Sequence, residues 1–306
     1  MSFELLSRAC PICDATDSSG LFAEANVDLG SIDGFAFASR KLPEYMHWRL
    51  MECRACDVLY SSPAPPLDTL AQLYRDADFA SSIEAGMASR TYGQLLQRLV
   101  ARLPDSEAAG DVGAGDGSFL RELLQAGFKN VVGIEPSAAP IAAAADDEVR
   151  PLLRQGIFRS DSFADDSLSL MTCFQTIEHL SDPLSFCRDA WRALKPGGAL
   201  LLVGHNRRAF STRLLGTKSP IFDIEHMQLF SPRSASTLLQ RAGFRDVEVR
   251  TVYNRYPIRY WAQLFPFPRS LKVPLLVGLQ SSGIGRLEVS LPAGNIAMYG
   301  FKPVNR

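Results

Sequence analysis

The segment Asp111-Val-Gly-Ala-Gly-Asp-Gly-Ser-Phe-Leu120, followed by Val131-Val-Gly-Ile-Glu-Pro136, constrains the fold of this chain more than any other. The first stretch reads as a strand end, a glycine turn and a helix start. The second reads as the next strand, closing on an acid. Together they make one βαβ unit. Glycine lets a backbone approach a ligand closely and take up positive φ. Glu135 lies 22 residues beyond Gly113, about the spacing at which such a unit offers a carboxylate to a ribose. The ligand expected at this turn is a nucleoside-bearing cofactor.

A dinucleotide fingerprint, G-x-G-x-x-G, seats a pyrophosphate on the helix N-terminus. Here the glycines fall at 113, 115 and 117, position 118 is Ser, and Asp116 sits inside the turn. A carboxylate there opposes a pyrophosphate, which disfavours a nicotinamide oxidoreductase. It suits a cationic or zwitterionic ligand. S-adenosylmethionine, with a sulfonium, an ammonium and no phosphate, fits.

Three further segments extend the pattern. Leu170-Met-Thr-Cys-Phe-Gln-Thr-Ile-Glu-His-Leu-Ser-Asp-Pro183 is an apolar run that breaks into polar residues and a turn. Ala193-Leu-Lys-Pro-Gly-Gly-Ala-Leu-Leu-Leu-Val203 is a helix end, a turn and a wholly apolar strand of a buried parallel sheet. Glu225-His-Met-Gln-Leu-Phe-Ser-Pro-Arg233 leads into a helix pattern from Ser234 to Ala242 that stops at Gly243. With these motifs in this order, residues 105 to 303 resemble the class I S-adenosylmethionine-dependent methyltransferases. The resemblance implies an α/β fold: a doubly wound, mostly parallel, seven-stranded Rossmann-like sheet. Strands are expected near 108–112, 130–134, 167–174, 198–204, 246–252 and 294–302, the last two as a closing antiparallel hairpin.

The resemblance also places the cofactor. Gly113, Ala114, Gly115 and Gly117 would face its methionine and ribose portions. Glu135, with Pro136 beside it, would take the ribose hydroxyls, and Asp111 would help hold the ammonium. Phe174 and Gln175 would line the methionine side. Phe158 or Ile157 would pack on adenine, with Asp161 a weaker hydrogen-bonding candidate. The chain departs from the family where Leu168-Ser169-Leu170 replaces an F-D-x-V pattern.

Methyl transfer needs donor and acceptor held in line, and an acceptor hydroxyl or carbon must lose a proton. Histidine is the natural base near neutral pH. The chain has four: His47, His179, His205 and His226. His205 follows a strand at the carboxyl edge where open α/β sheets bind ligands. His226, preceded by Glu225, falls where the similar sugar C-methyltransferases carry an E-H pair whose histidine is the base, although Asp223 replaces their usual tyrosine. His226, Glu225 and His179 are the candidate catalytic residues. His226 could instead cap the following helix.

Cys10-Pro-Ile-Cys13 and Cys53-Arg-Ala-Cys56 are two C-x-x-C knuckles separated by 39 residues. Two such knuckles supply a tetrahedral, closed and hence structural Zn²⁺ site. Cys173 and Cys187 are isolated and read as buried apolar residues. The expected organisation is a zinc-ribbon-like module over 1–62, a helical linker or lid over 63–104, and a methyltransferase domain over 105–306. Helices are expected at 67–74 and 89–103, with Tyr74 and Phe79 as lid or core aromatics. An insertion over 254–291, aromatic, proline-rich and mildly basic, reads as a lid or dimer face rather than a membrane-surface helix.

A 46% hydrophobic and 21% charged composition is that of a globular chain. A net charge of −1 offers no bulk attraction to nucleic acid. No signal peptide or membrane-spanning run is visible, so a cytoplasmic location is the expectation. The expected activity is methyl transfer to a small-molecule or glycan acceptor, such as a sugar, a glycan end or a natural-product intermediate. O-methylation with His226 as base comes first and C-methylation of a sugar second. An RNA methyltransferase, a non-catalytic cofactor-binding scaffold and a homodimeric assembly stand as alternatives or additions.

Overall fold

The computed structural model describes residues 5–28, 46–75, 82–264 and 267–304. Its strands are β1 (Ser19–Ala23), β2 (Leu50–Cys53), β3 (Leu59–Ser61), β4 (Ala108–Val112), β5 (Asn130–Glu135), β6 (Leu153–Gln155), β7 (Leu168–Phe174), β8 (Leu194–His205), β9 (Gln228–Leu229), β10 (Arg245–Pro257) and β11 (Glu288–Phe301). Its helices are α1 (Leu67–Arg75), α2 (Ser82–Val100), α3 (Ser118–Gln125), α4 (Ala138–Ala143), α5 (Pro183–Ala193), α6 (Phe210–Leu215), α7 (Pro232–Arg241), α8 (Ile258–Leu264) and α9 (Arg269–Ser281).

Seven strands form one sheet in the order β10-β11-β8-β7-β4-β5-β6. The pairs from β8 to β6 are parallel. β11 runs antiparallel to both β8 and β10. This is the doubly wound sheet the motifs imply. The chain moves from β4 outward to β5 and β6, then returns to place β7 on the other flank of β4. The crevice at this reversal, beyond the carboxyl ends of β4 and β7, is where such sheets bind ligands.

Alternation along β8 feeds two cores. Leu200 and Leu202 join the layer of α5 and α7, with Cys187, Ala190, Leu238 and Leu239. Ala199, Leu201 and Val203 join the layer of α2 and α3, with Leu96, Leu99, Phe119 and Leu123. A strand buried on both faces favours apolar residues throughout, which accounts for the unbroken Ala199–Val203 run. Cys173 and Cys187 lie fully buried in the first layer. Helix starts follow local chemistry. Asp182 accepts from the Ser185 amide at 2.8 Å ahead of Pro183, and Ser231 caps α7 ahead of Pro232.

A second, four-stranded sheet has the order β1-β2-β3-β9. Its last strand is not N-terminal: Leu59 and Tyr60 pair with Leu229 and Gln228. Arg8 reinforces the joint, donating to the carbonyls of Ser181 at 2.8 Å and Met227 at 2.6 Å. Trp48 Nε1 donates to Ile224 O at 2.8 Å. Arg207, almost wholly buried, is ion-paired to Glu52 and Asp57. The N-terminal sheet therefore grips the 221–230 segment that carries Glu225 and His226.

Candidate functional site

The glycine turn has the conformation its sequence demands. Gly113, Gly115 and Gly117 have φ of +75°, +57° and +77°, a region that L side chains enter at a cost. They differ in what surrounds them. A Cβ on Gly113 would stand 2.2 Å from Thr176 Oγ1, and one on Gly117 would stand 2.4 Å from Val149 Cγ1. A Cβ on Gly115 would meet nothing within 4 Å. Gly113 and Gly117 thus serve packing as well as the turn, whereas Gly115 lines an open cradle.

Glu135 ends β5 and turns its carboxylate to that cradle. Gly115 N–H donates to Oε2 and Ser137 N–H to Oε1, each at 2.9 Å. The two amides leave one lone pair on each oxygen for a diol. Burial raises the pKa of Glu135, opposed by these amides. Asp116 accepts from the Ser118 amide at 3.1 Å and its hydroxyl at 2.6 Å. The first free amide of α3 is therefore occupied by a carboxylate, where a pyrophosphate would need it open.

Asp111, at the end of β4, is buried, and Thr172 Oγ1 donates to it at 2.6 Å. Burial pushes its pKa up to about 7, with the Thr172 hydroxyl opposing and the Glu135 charge adding. Phe174 packs between Tyr92 and Phe119, with ring centroids 4.6 and 4.5 Å away. Gln175 has φ of +50°, a strained conformation of the kind found at working sites. Its Nε2 donates to the Tyr92 hydroxyl at 3.2 Å. Pro136 follows Glu135, and its carbonyl accepts from Gln155 Nε2 at 3.5 Å. Ala114 is buried in the α2–α3 layer. Phe158 stacks edge-on to Phe186 at 5.3 Å. Ile157 is half-buried and Asp161 exposed.

Three of the four histidines, 47 residues apart at the extremes, meet at the carboxyl edge. The His226 ring lies 4.9 Å from both His179 and His205. Two loops are joined to bring this about. The Glu178 carbonyl accepts from the Met227 amide at 2.8 Å, and Gln228 Nε2 donates to the carbonyls of Ile177 and Leu180 at 2.8 and 2.7 Å.

Each ring has Nδ1 engaged. His226 Nδ1 lies 2.8 Å from the Ile221 carbonyl, and His205 Nδ1 lies 2.9 Å from Asn295 Oδ1. His179 Nδ1 lies 3.0 Å from the Tyr74 hydroxyl and 3.2 Å from the Glu225 carbonyl. A carbonyl only accepts, so the proton of His226 is on Nδ1 and Nε2 carries the lone pair. The Glu225 carboxylate stands 4.0 Å from His226 Nε2 and 3.8 Å from His179 Nδ1. Burial, with the neighbouring imidazoles adding, lowers the pKa of His226 and His205 to about 3 and of His179 to about 4. All three are neutral near pH 7. His47 is buried elsewhere, its Nδ1 2.8 Å from the Trp48 carbonyl. His226 does not cap the following helix; Ser231 does.

Glu178, wholly buried, faces the same cluster, with Oε1 3.8 Å from His205 Nε2. Burial pushes its pKa up to about 8. Glu178, His179 and His226 offer atoms within 4.8 Å of one another, close enough to chelate a cation. The sequence pattern singles out His179 in this motif but not Glu178, and leaves Tyr74 between lid and core. Nothing local announces that the Tyr74 hydroxyl reaches His179. Phe79 lies outside the described residues.

Among the described residues the four knuckle cysteines also converge. Cys10 and Cys56 Sγ are 3.5 Å apart, as are Cys13 and Cys53 Sγ. All four lie within 4.8 Å of one another and none is in a disulfide. A tetrahedron with Zn–S of about 2.3 Å has S–S edges of roughly 3.8 Å, so the donor set and spacing fit zinc.

Residues 85–249 match the model of a methyltransferase domain family. Among curated proteins, one named as a probable S-adenosylmethionine-dependent methyltransferase from Mycolicibacterium smegmatis is 27% identical over 54% of this chain and 62% of its own length. A ubiquinone biosynthesis O-methyltransferase from Pseudomonas aeruginosa is 30% identical over 35% of this chain and 49% of its own length. The chain thus spans about half to three fifths of these relatives. A solved S-adenosylmethionine-dependent methyltransferase from Thermotoga maritima aligns over 71% of this chain and 90% of its own, at 21% identity and a TM-score of 0.47.

Proposed function

The chain belongs to the S-adenosylmethionine-dependent methyltransferases, and we propose that it methylates a hydroxyl on a small or medium acceptor such as a sugar, a glycan end or a natural-product intermediate. The observation that carries this reading is the geometry of His226, whose Nδ1 faces the Ile221 carbonyl and whose Nε2 stands at the carboxyl edge of the sheet beside the Glu225 carboxylate.

S-adenosylmethionine, when bound, supplies a methyl group on a sulfonium. The residues present fit it: a glycine with open space above its Cα, a buried carboxylate with free lone pairs beyond that glycine, and a second buried carboxyl at the end of β4. In this reading Glu135 accepts from the ribose hydroxyls, and Asp111 holds the ammonium through its ionised form. Phe174 and Gln175 wall the methionine side, and Phe158 stands toward adenine. His226 Nε2 takes the hydroxyl proton as the oxygen–methyl bond forms and the sulfur–methyl bond breaks. The imidazolium so formed is stabilised by Glu225, while the Ile221 carbonyl fixes the ring. Tyr74 and His179 position the Glu225 side of the acceptor pocket.

The Pseudomonas aeruginosa relative, named as an O-methyltransferase, supports oxygen as the acceptor atom. The Glu225-His226 pair, similar to that of sugar C-methyltransferases, favours methylation at carbon as a second reading. Zn²⁺ on Cys10, Cys13, Cys53 and Cys56 would be structural, since four thiolates leave no open position. The test is incubation with methyl-labelled S-adenosylmethionine and a panel of glycosides and hydroxylated aromatics. Label is expected on oxygen, and nuclear magnetic resonance showing it on carbon would replace the first reading by the second. A panel that stays unlabelled while S-adenosylhomocysteine binds would refute both acceptor readings.

A further inference from the structure

We propose that the arm formed by residues 252–294 docks this protein on an anionic lipid surface. This does not rest on the identity of the methyl acceptor. β10 and β11 outrun the sheet: β11 pairs with β8 only from Asn295 to Phe301, while Tyr253–Pro257 pair with Glu288–Pro292 beyond it. α8 and α9 close the tip of this extension. α9 packs chiefly against α8 and the turn Ile284–Arg286, all within the arm.

The arm exposes large apolar side chains to water. Leu271, Val273, Val277 and Leu287 are each about three-fifths exposed, and Ile284 is half exposed. No acid occurs in α9. Among the described residues no helix is long and apolar enough to cross a membrane.

Charge selects the occupant. Residues 252–294 carry Arg255, Arg259, Arg269, Lys272 and Arg286 against the single acid Glu288, a net +4, which leaves −5 for the rest of the chain. Glu288 is itself paired to Arg255 at 2.8 Å, and Arg259 and Arg286 are exposed. A second copy packed arm to arm through a twofold axis would set +4 against +4. A lid over the chain's own crevice would pack on the core, whereas α9 packs within the arm. An anionic bilayer satisfies both features, taking the apolar side chains below the headgroups and the arginines at their level.

The experiment is co-sedimentation of the full chain with vesicles of phosphatidylcholine alone and with phosphatidylglycerol added, beside light scattering for oligomeric state. Binding to the phosphatidylglycerol vesicles that weakens with salt is expected. Arg259→Gln with Arg286→Gln is expected to weaken it about thirtyfold. Leu271→Ser with Val277→Ser is expected to weaken it as well. Both variants should keep wild-type binding of S-adenosylhomocysteine, which shows them folded. No sedimentation with either vesicle, or equal sedimentation with both, would overturn the proposal. So would a wild-type dimer that Leu271→Ser with Val277→Ser dissociates, since the apolar face would then belong to a second copy.

Discussion

Gly115→Ala separates the cofactor cradle from the fold that builds it. Gly115 has φ of +57° and no atom within 4 Å of where its Cβ would stand. Alanine in that conformation costs about 1 kcal/mol, which lowers Tm by roughly 2–4 °C in a domain of this size. The added methyl enters the space assigned to the cofactor. Overpacking of a filled site costs about 1–3 kcal/mol, which corresponds to a five- to 150-fold rise in Kd. Gly113→Ala is the control. Its Cβ would stand 2.2 Å from Thr176 Oγ1 and 2.8 Å from Thr176 Cγ2, so it is expected to lower Tm by more than Gly115→Ala. The assay is calorimetric titration with S-adenosylhomocysteine beside differential scanning calorimetry. A Gly115→Ala protein that melts within a few degrees of wild type and binds with unchanged Kd would refute the placement of the cofactor above this glycine.

The other predictions address the remaining groups. Glu135→Ala should weaken S-adenosylhomocysteine binding by about 1–3 kcal/mol, the scale of lost charge-assisted hydrogen bonds, measured by the same titration. His226→Ala should leave that affinity intact and depress turnover by about 10²–10⁴; full activity in a methyl-transfer assay would remove it from the mechanism. Metal analysis should find one zinc per chain, and Cys10→Ser with Cys56→Ser should lose the metal and lower Tm. Asp111, with its folded pKa raised to about 7, holds a proton that the unfolded chain releases near pH 4, so stability falls as pH rises through this window. Between pH 5 and 7 the wild type should lose about 2 kcal/mol relative to Asp111→Asn, read from urea unfolding at each pH.

Much of the sheet is legible locally. The strand expected at 108–112 is β4 without change, and those at 130–134 and 167–174 differ from β5 and β7 by a single residue. Apolar runs beside glycine turns carry that signal for β5, whereas β7 also buries Ser169 and Thr172, each of them hydrogen-bonded, among its apolar residues. β6, three half-exposed or exposed residues at the sheet edge, has no such pattern in the sequence. β8 and the closing hairpin start earlier or run further than their apolar runs, since pairing with neighbours rather than side-chain pattern extends them.

By itself the sequence determined what depends on neighbours along the chain. The positive-φ turn at Gly113–Gly117, the acid that ends β5, the two cysteine knuckles and the proline-led helix starts all belong to this class, because backbone sterics and short-range hydrogen bonds act within a few residues. Tertiary structure alone decided what depends on distant segments meeting. Hydrogen bonds between the two loops, among them Glu178–Met227 and Gln228–Ile177, bring His179 against His226. Only β11 delivers Asn295 to His205, and only α1 carries Tyr74 to His179. The pKa values of these histidines follow from the burial that this packing creates. No residue's type or spacing specifies that burial, since it is a property of the surrounding volume once the sheet and the N-terminal module have closed over it.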